Sequence, residues 1–159
     1  MEEAAYMLIR EYGYPLLFMV ILAGIIGFPL PDEGLLIYAG VLAAKGWLDP
    51  LSSFGCGVFA VLLGSLINYR VASLPRRRWL IRWGRKWGLS KKRIRTSLKL
   101  INRYGGWAVA VSYFVPGVRM GTAYTAGLVR LRLQTFAVGS FAGALVWVGF
   151  YLWIGWMLV

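Results

Sequence analysis

The sequence predicts an all-α integral membrane protein of two inverted halves, each a re-entrant helical hairpin followed by a transmembrane helix, joined by a basic cytoplasmic helical segment. Three observations lead there. First, Tyr12–Pro31, Pro50–Tyr69 and Leu133–Val159 are uncharged over 20, 20 and 27 residues, long enough to cross a hydrocarbon core of ~30 Å. Second, two apolar stretches are broken from within, at Pro29-Leu30-Pro31-Asp32-Glu33 and at Pro116-Gly117 ahead of Arg119. Proline lacks the N–H donor, and its ring collides with the preceding turn, so continuous helix cannot pass cleanly through either place. Third, 13 of the 18 Lys and Arg residues lie in Arg70–Arg103, which contains no acid. Such a block stays on the cytoplasmic side of a membrane.

The elements follow in order. Met1–Glu11 is polar at its ends with Tyr6, Met7, Leu8 and Ile9 between, which suits a short interfacial helix. Met1 is followed by Glu2 and Glu3 rather than by a basic region, so no cleavable signal is expected. After Glu33 only the 11 residues Gly34–Ala44 remain uncharged, about half a crossing at 1.5 Å per residue. A half-span must return, so residues 14–46 read as the first re-entrant hairpin, with its tip at Pro29 and Pro31. It ends at the turn Gly46-Trp47-Leu48-Asp49-Pro50. Residues 50–72 then cross fully, rich in small residues that let helices approach closely in lipid.

Residues 74–104 form the basic segment. Trp79, Trp83 and Trp87 recur every four residues among Arg76, Arg77, Arg78, Arg82, Arg85 and Lys86, an interfacial pattern. Ser90 has the place of an N-cap, with Leu89 and Ile94 spaced for a hydrophobic staple. Ile94, Leu98 and Ile101 keep helical spacing until Gly105-Gly106 stops the helix. Residues 106–130 repeat the broken pattern, with a tip at Pro116 and Gly117, and Ala126-Gly127 follows Tyr124 much as Ala39-Gly40 follows Tyr38. Residues 133–159 are the last span.

This plan places carboxylates, Asp32 and Glu33, on one broken element and a cation, Arg119, on the other. Ionisable groups at membrane depth are costly unless they face a cavity or a partner, and by default they mark a functional site. The candidate substrate contacts are therefore Asp32, Glu33 and Arg119, with Tyr113 and Tyr124 on the second broken element. Other chemistries are excluded by composition. The chain has no His and a single Cys, Cys56, which removes His-based triads and the usual zinc sites. No cofactor or metal is implied, and no Gly-rich loop with Lys is present for nucleotide hydrolysis. The net charge of +12 calls for an anionic partner. Uncharged spans on both sides of the basic block make that partner a lipid surface along Arg76–Arg103, not nucleic acid. Self-association into a homo-oligomer is left open.

At these residues the chain resembles the DedA family of small membrane proteins, also called the VTT or SNARE-associated domain. The first family motif is matched by Pro29-Leu30-Pro31-Asp32-Glu33 with Ala39-Gly40 downstream. The second is matched by Gly105-Gly106, Phe114-Val115-Pro116-Gly117-Val118-Arg119 and Ala126-Gly127. There are departures. Tyr113 stands where relatives commonly have Arg, and Gly64-Ser65 and Tyr69-Arg70-Val71-Ala72 stand where they tend to have Gly-Asp and Tyr-x-x-Gly-Arg. Many relatives also add a further C-terminal span. The resemblance implies a multi-pass protein of the bacterial cytoplasmic membrane, a transporter and not an enzyme. Its expected work is flippase- or scramblase-type movement of a phosphate-headed lipid, phosphatidylethanolamine or undecaprenyl phosphate. The alternatives are a proton-coupled antiporter of small cations using Asp32 and Glu33, and a membrane-bound enzyme acting on lipid phosphates.

Overall fold

The computed structural model describes residues 2–28, 30–74, 82, 86, 90–115 and 118–159, and every regular element among them is an α-helix. The helices are α1 (Glu2–Ile26), α2 (Asp32–Ala44), α3 (Pro50–Ala72), α4 (Lys91–Tyr104), α5 (Gly106–Ser112), α6 (Val118–Leu128) and α7 (Leu133–Met157). Three of these, α1, α3 and α7, are long and apolar enough to cross a membrane. With 23 and 25 residues, α3 and α7 measure about 34 and 37 Å at 1.5 Å per residue.

The helix breaks fall where the sequence placed them. α1 ends at Ile26, Gly27 adopts φ 135°, and α2 starts one residue after Pro31, which occupies the N-cap position. The freed carbonyl of Ile25 accepts a 2.7 Å hydrogen bond from Asn68 Nδ2 on α3, so this carbonyl is satisfied without water. α2 closes in a Schellman turn, with Gly46 N–H donating to Ala43 O and Trp47 N–H to Leu42 O. Gly46 sits at φ 76°, a conformation that costs glycine nothing. Gly105, at φ 58°, ends α4 by donating to Ile101 O, and the next residue opens α5. The expected N-cap, Ser90, accepts the N–H of Ile94 with its carbonyl. The Trp79, Trp83 and Trp87 stripe and the tip residues Pro29, Pro116 and Gly117 lie outside the described residues.

One expectation is corrected. Met1–Glu11 reads from sequence as a separate interfacial helix, but Glu2–Ile26 is a single helix that passes through Pro15. Pro15 and Glu11, whose carbonyl loses its partner, are both exposed, so the interrupted turn faces outward, where the cost of a lost hydrogen bond is smallest. The early half of this helix leans on the turn before α3. Tyr6 meets Trp47 edge to face at 5.8 Å, and the Asp49 N–H donates to Tyr14 Oη at 2.9 Å.

Asp49 caps α3 through a 2.7 Å bond from Ser52 N–H to Oδ2, and Pro50 follows at the first helical position. The bonds from Ser52 hold the Asp49 carboxyl below its ordinary value. A depressed folded-state pKa gives stability that is complete above the unfolded-state pKa and is lost as pH falls through the folded one. The start of α3 is thus expected to loosen only in acid, and Asp49→Ala to remove that acid dependence, as read by amide exchange at Ser52 across a pH series.

Packing places α1 beside α3, α2 beside α7, α6 beside α3 and α5 beside α7, with α3 against α7 and α4 under α5 and α6. Several approaches are backbone to backbone. A Cβ on Gly40 would strike Leu152 O, and one on Gly155 would strike Ile37 O. A Cβ on Gly127 would strike Tyr69 O. Trp147, Phe136, Ile21, Leu36 and Val61 fill the interior.

Candidate functional site

Asp32 is the first residue of α2 and Arg119 the second of α6, so each charge stands at the N-terminal end of a helix. An ion pair joins these two ends. Arg119 Nη2 donates to Asp32 Oδ2 at 2.6 Å, and the Asp32 side chain is 4% exposed against 16% for Arg119. The guanidinium also lies over the indole of Trp147, 4.6 Å from the ring centroid, a cation–π contact strengthened by desolvation. Trp147 is near the middle of α7, and its ring meets Tyr151 at 5.2 Å. The pair therefore lies at mid-height of α7.

The dipole of α2 favours Asp32, since a helix N-terminus attracts an anion. The same rule disfavours Arg119 at the N-terminus of α6. Asp32 and the Trp147 ring offset that conflict, and a bound anion would do so equally well. Among the described residues this is the one ion pair. Glu33 is half-buried and takes no part in it, although it lies, with Asp32 and Arg119, within electrostatic reach of Tyr151.

The other residues expected at the site divide. Pro31 leads directly into Asp32. Tyr113 is buried just before the second break, and its hydroxyl shares a 2.7 Å hydrogen bond with Ser65 Oγ on α3. Two of the positions where the sequence departs from the pattern of the family it resembles thus touch each other, through a neutral Tyr–Ser hydrogen bond. Tyr124 is not brought to the pair. It lies further along α6 in a small cluster with Ala72 and Leu128, its buried hydroxyl without a hydrogen-bond partner among the described residues. Trp147, Tyr151, Ser65 and Asn68 were missed. The i, i+4 spacing of Trp147 and Tyr151 in an uncharged helix was visible, but it also fits an ordinary buried stripe. Among the described residues no group of His, Cys, Asp and Glu could hold a metal ion.

Residues 30–157 match the VTT domain. Over 153 residues the chain is 31% identical to a Bacillus subtilis protein named uncharacterized membrane protein YbfM, covering 96% of this chain and 94% of that one. It is 30% identical to a Staphylococcus aureus protein named undecaprenyl phosphate transporter A, over 92% of this chain and 74% of the relative. It is 26% identical to Protein DedA of Escherichia coli, over 93% and 71%. No solved structure matches the chain. With a domain match over most of its length and a relative of nearly equal extent, the chain belongs to the VTT-domain, or DedA, family of membrane proteins.

Proposed function

We propose that the chain moves a phosphate-headed lipid across the membrane, with Arg119 as the headgroup contact and Asp32 holding it between turnovers. The observation that carries this reading is the mid-height Asp32–Arg119 pair at two helix N-termini. Two positive helix ends and a guanidinium form an anion site. Arg has five N–H donors, and Asp32 takes one of them in the described structure. A phosphate replacing Asp32 keeps the cation neutralised throughout, and Glu33, half-buried beside it, offers a carboxylate for an ammonium or a proton. The relative named as an undecaprenyl phosphate transporter supports a lipid phosphate as the substrate.

In this reading the chain crosses the membrane several times as two inverted halves, α1–α3 and α5–α7, each a re-entrant hairpin followed by a long helix. Packing supports it. The second limb of each hairpin lies on the long helix of the opposite half, α2 on α7 and α6 on α3, and the first limb lies on its own, α1 on α3 and α5 on α7. Asp32 and Arg119 are 87 residues apart, and the same spacing relates Ala39-Gly40 to Ala126-Gly127. The two charges thus occupy equivalent positions and meet where a twofold axis in the membrane plane would pass.

Transport is tested in proteoliposomes with headgroup-resolved labelled lipids. Phosphate-headed lipids are expected to change leaflet without nucleotide, and labelled diacylglycerol to show no acceleration. Movement of a pH gradient without lipid would favour the antiporter reading, and release of inorganic phosphate would favour an enzyme. Topology is tested separately: a cysteine label at Thr96 is expected to react from the cytoplasmic side, and labels at Glu2 and Val159 from the other side. Termini on opposite sides would break the inverted arrangement.

A further inference from the structure

A polar cleft lies at the end of α3 and α7 remote from α4. It has a volume of about 570 Å³ and is lined by Tyr6, Arg10 and Tyr14 of α1, Trp47 and Asp49 of the turn between α2 and α3, and Trp156 near the end of α7. Its chemistry is paired. Arg10 is exposed and makes no ion pair among the described residues, while Asp49 presents an exposed carboxylate that uses Oδ2 for the Ser52 cap. Tyr14 Oη accepts the Asp49 N–H and, among the described residues, donates to nothing, which leaves its O–H as a donor for a ligand. Tyr6 and Trp47 meet edge to face, and with Trp156 they provide aromatic faces for a cation.

We propose that this cleft binds a phospholipid headgroup that carries both a phosphate and a primary ammonium. Arg10 and the Tyr14 hydroxyl donate to the phosphate, and Asp49 accepts from the ammonium beside the Trp47 and Tyr6 rings. An anionic headgroup without an amine leaves Asp49 as an unanswered negative charge next to the phosphate. The opposed charges of Arg10 and Asp49 thus select a zwitterion. Nothing in the cleft involves Arg119 or Asp32, so the site stands independently of the transport reading.

The test titrates the purified full chain in detergent with dihexanoyl phosphatidylethanolamine and dihexanoyl phosphatidylglycerol, following tryptophan fluorescence and native mass spectra. The ethanolamine lipid is expected to bind roughly tenfold more tightly, the size of one charge-assisted hydrogen bond. Arg10→Gln is expected to weaken both lipids. Asp49→Asn, which keeps an effective N-cap, is expected to bring the ethanolamine lipid down to the level of the glycerol lipid. Equal affinity of the two lipids for the unmodified chain, or a preference that survives Asp49→Asn, would overturn the proposal and reduce the aromatic residues to an interfacial belt. Unchanged affinities in Arg10→Gln would likewise remove the phosphate contact.

Discussion

Arg119→Gln is expected to destabilise the protein by about 3–5 kcal/mol, because it leaves the buried Asp32 charge without its partner, and Asp32→Asn by less, because the Arg119 it leaves is only part-buried. Made together they are expected to recover most of that loss, since a buried pair replaced as a unit is often neutral or stabilising. Transport is expected to be absent in all three. Stability and function are thus predicted to separate in the double variant, which folds as the unmodified chain does but has no cation for a phosphate. Thermal unfolding in detergent and lipid movement in proteoliposomes, at matched protein levels, read the two quantities. If the double variant moves lipid at the normal rate, Arg119 is not the headgroup contact and the pair only locks α2 to α6.

Arg119→Lys refines the same point. Lys keeps the charge beside Asp32 but offers a compact ammonium in place of a planar fork, and it reaches the Trp147 ring with weaker stacking. Stability is expected to fall less than in Arg119→Gln, with transport still well below normal. Full transport by the Lys variant would show that charge alone suffices.

The sequence made the poles of this site visible but not their pairing. Proline at Pro31 and the charges at Asp32, Glu33 and Arg119 stand out against apolar surroundings, so two broken elements with opposite charges could be read directly. Which carboxylate meets Arg119 could not. Asp32 and Glu33 are adjacent, about 100° apart around α2 by the 3.6-residue period, and only the packing of α2 on α7 decides which one turns inward. The continuity of α1 through Pro15 was hidden for a related reason. Glu2, Glu3, Arg10 and Glu11 resemble the polar end of a helix at an interface, whereas the contacts that carry it onward, Tyr6 with Trp47 and Tyr14 with Asp49, are made by residues far along the chain. Ser65 and Tyr113, separated by 48 residues and joined by one hydrogen bond, are another case: each looks like a departure from the family's pattern until the fold puts them together.

Gly155→Val and Gly127→Val are expected to have the next largest effect, and the reason lies in how α2 and α6 meet the long helices. A Cβ at Gly155 runs into Ile37 O and the Gly40 Cα, and one at Gly127 runs into Tyr69 O and the Ala72 Cβ. These are backbone atoms and a first side-chain carbon, which cannot rotate away, so the helices must separate. Overpacking of this kind costs about 1–3 kcal/mol for an extra methylene in a core that can yield, and more where backbone has to move. The upper part of that range or beyond is expected for valine, with partial separation for Gly155→Ala. Because α2 and α6 also carry Asp32 and Arg119, displacing either helix lengthens the 2.6 Å ion pair, and transport is expected to fall even in variants that stay folded. Gly55 is the control. It is exposed on α3 with open space where a Cβ would stand, and Gly55→Ala is expected to stabilise by up to about 1 kcal/mol from helix propensity alone. Equal stability of Gly155→Val and Gly55→Ala in detergent unfolding would show that α2 and α7 are not in backbone contact.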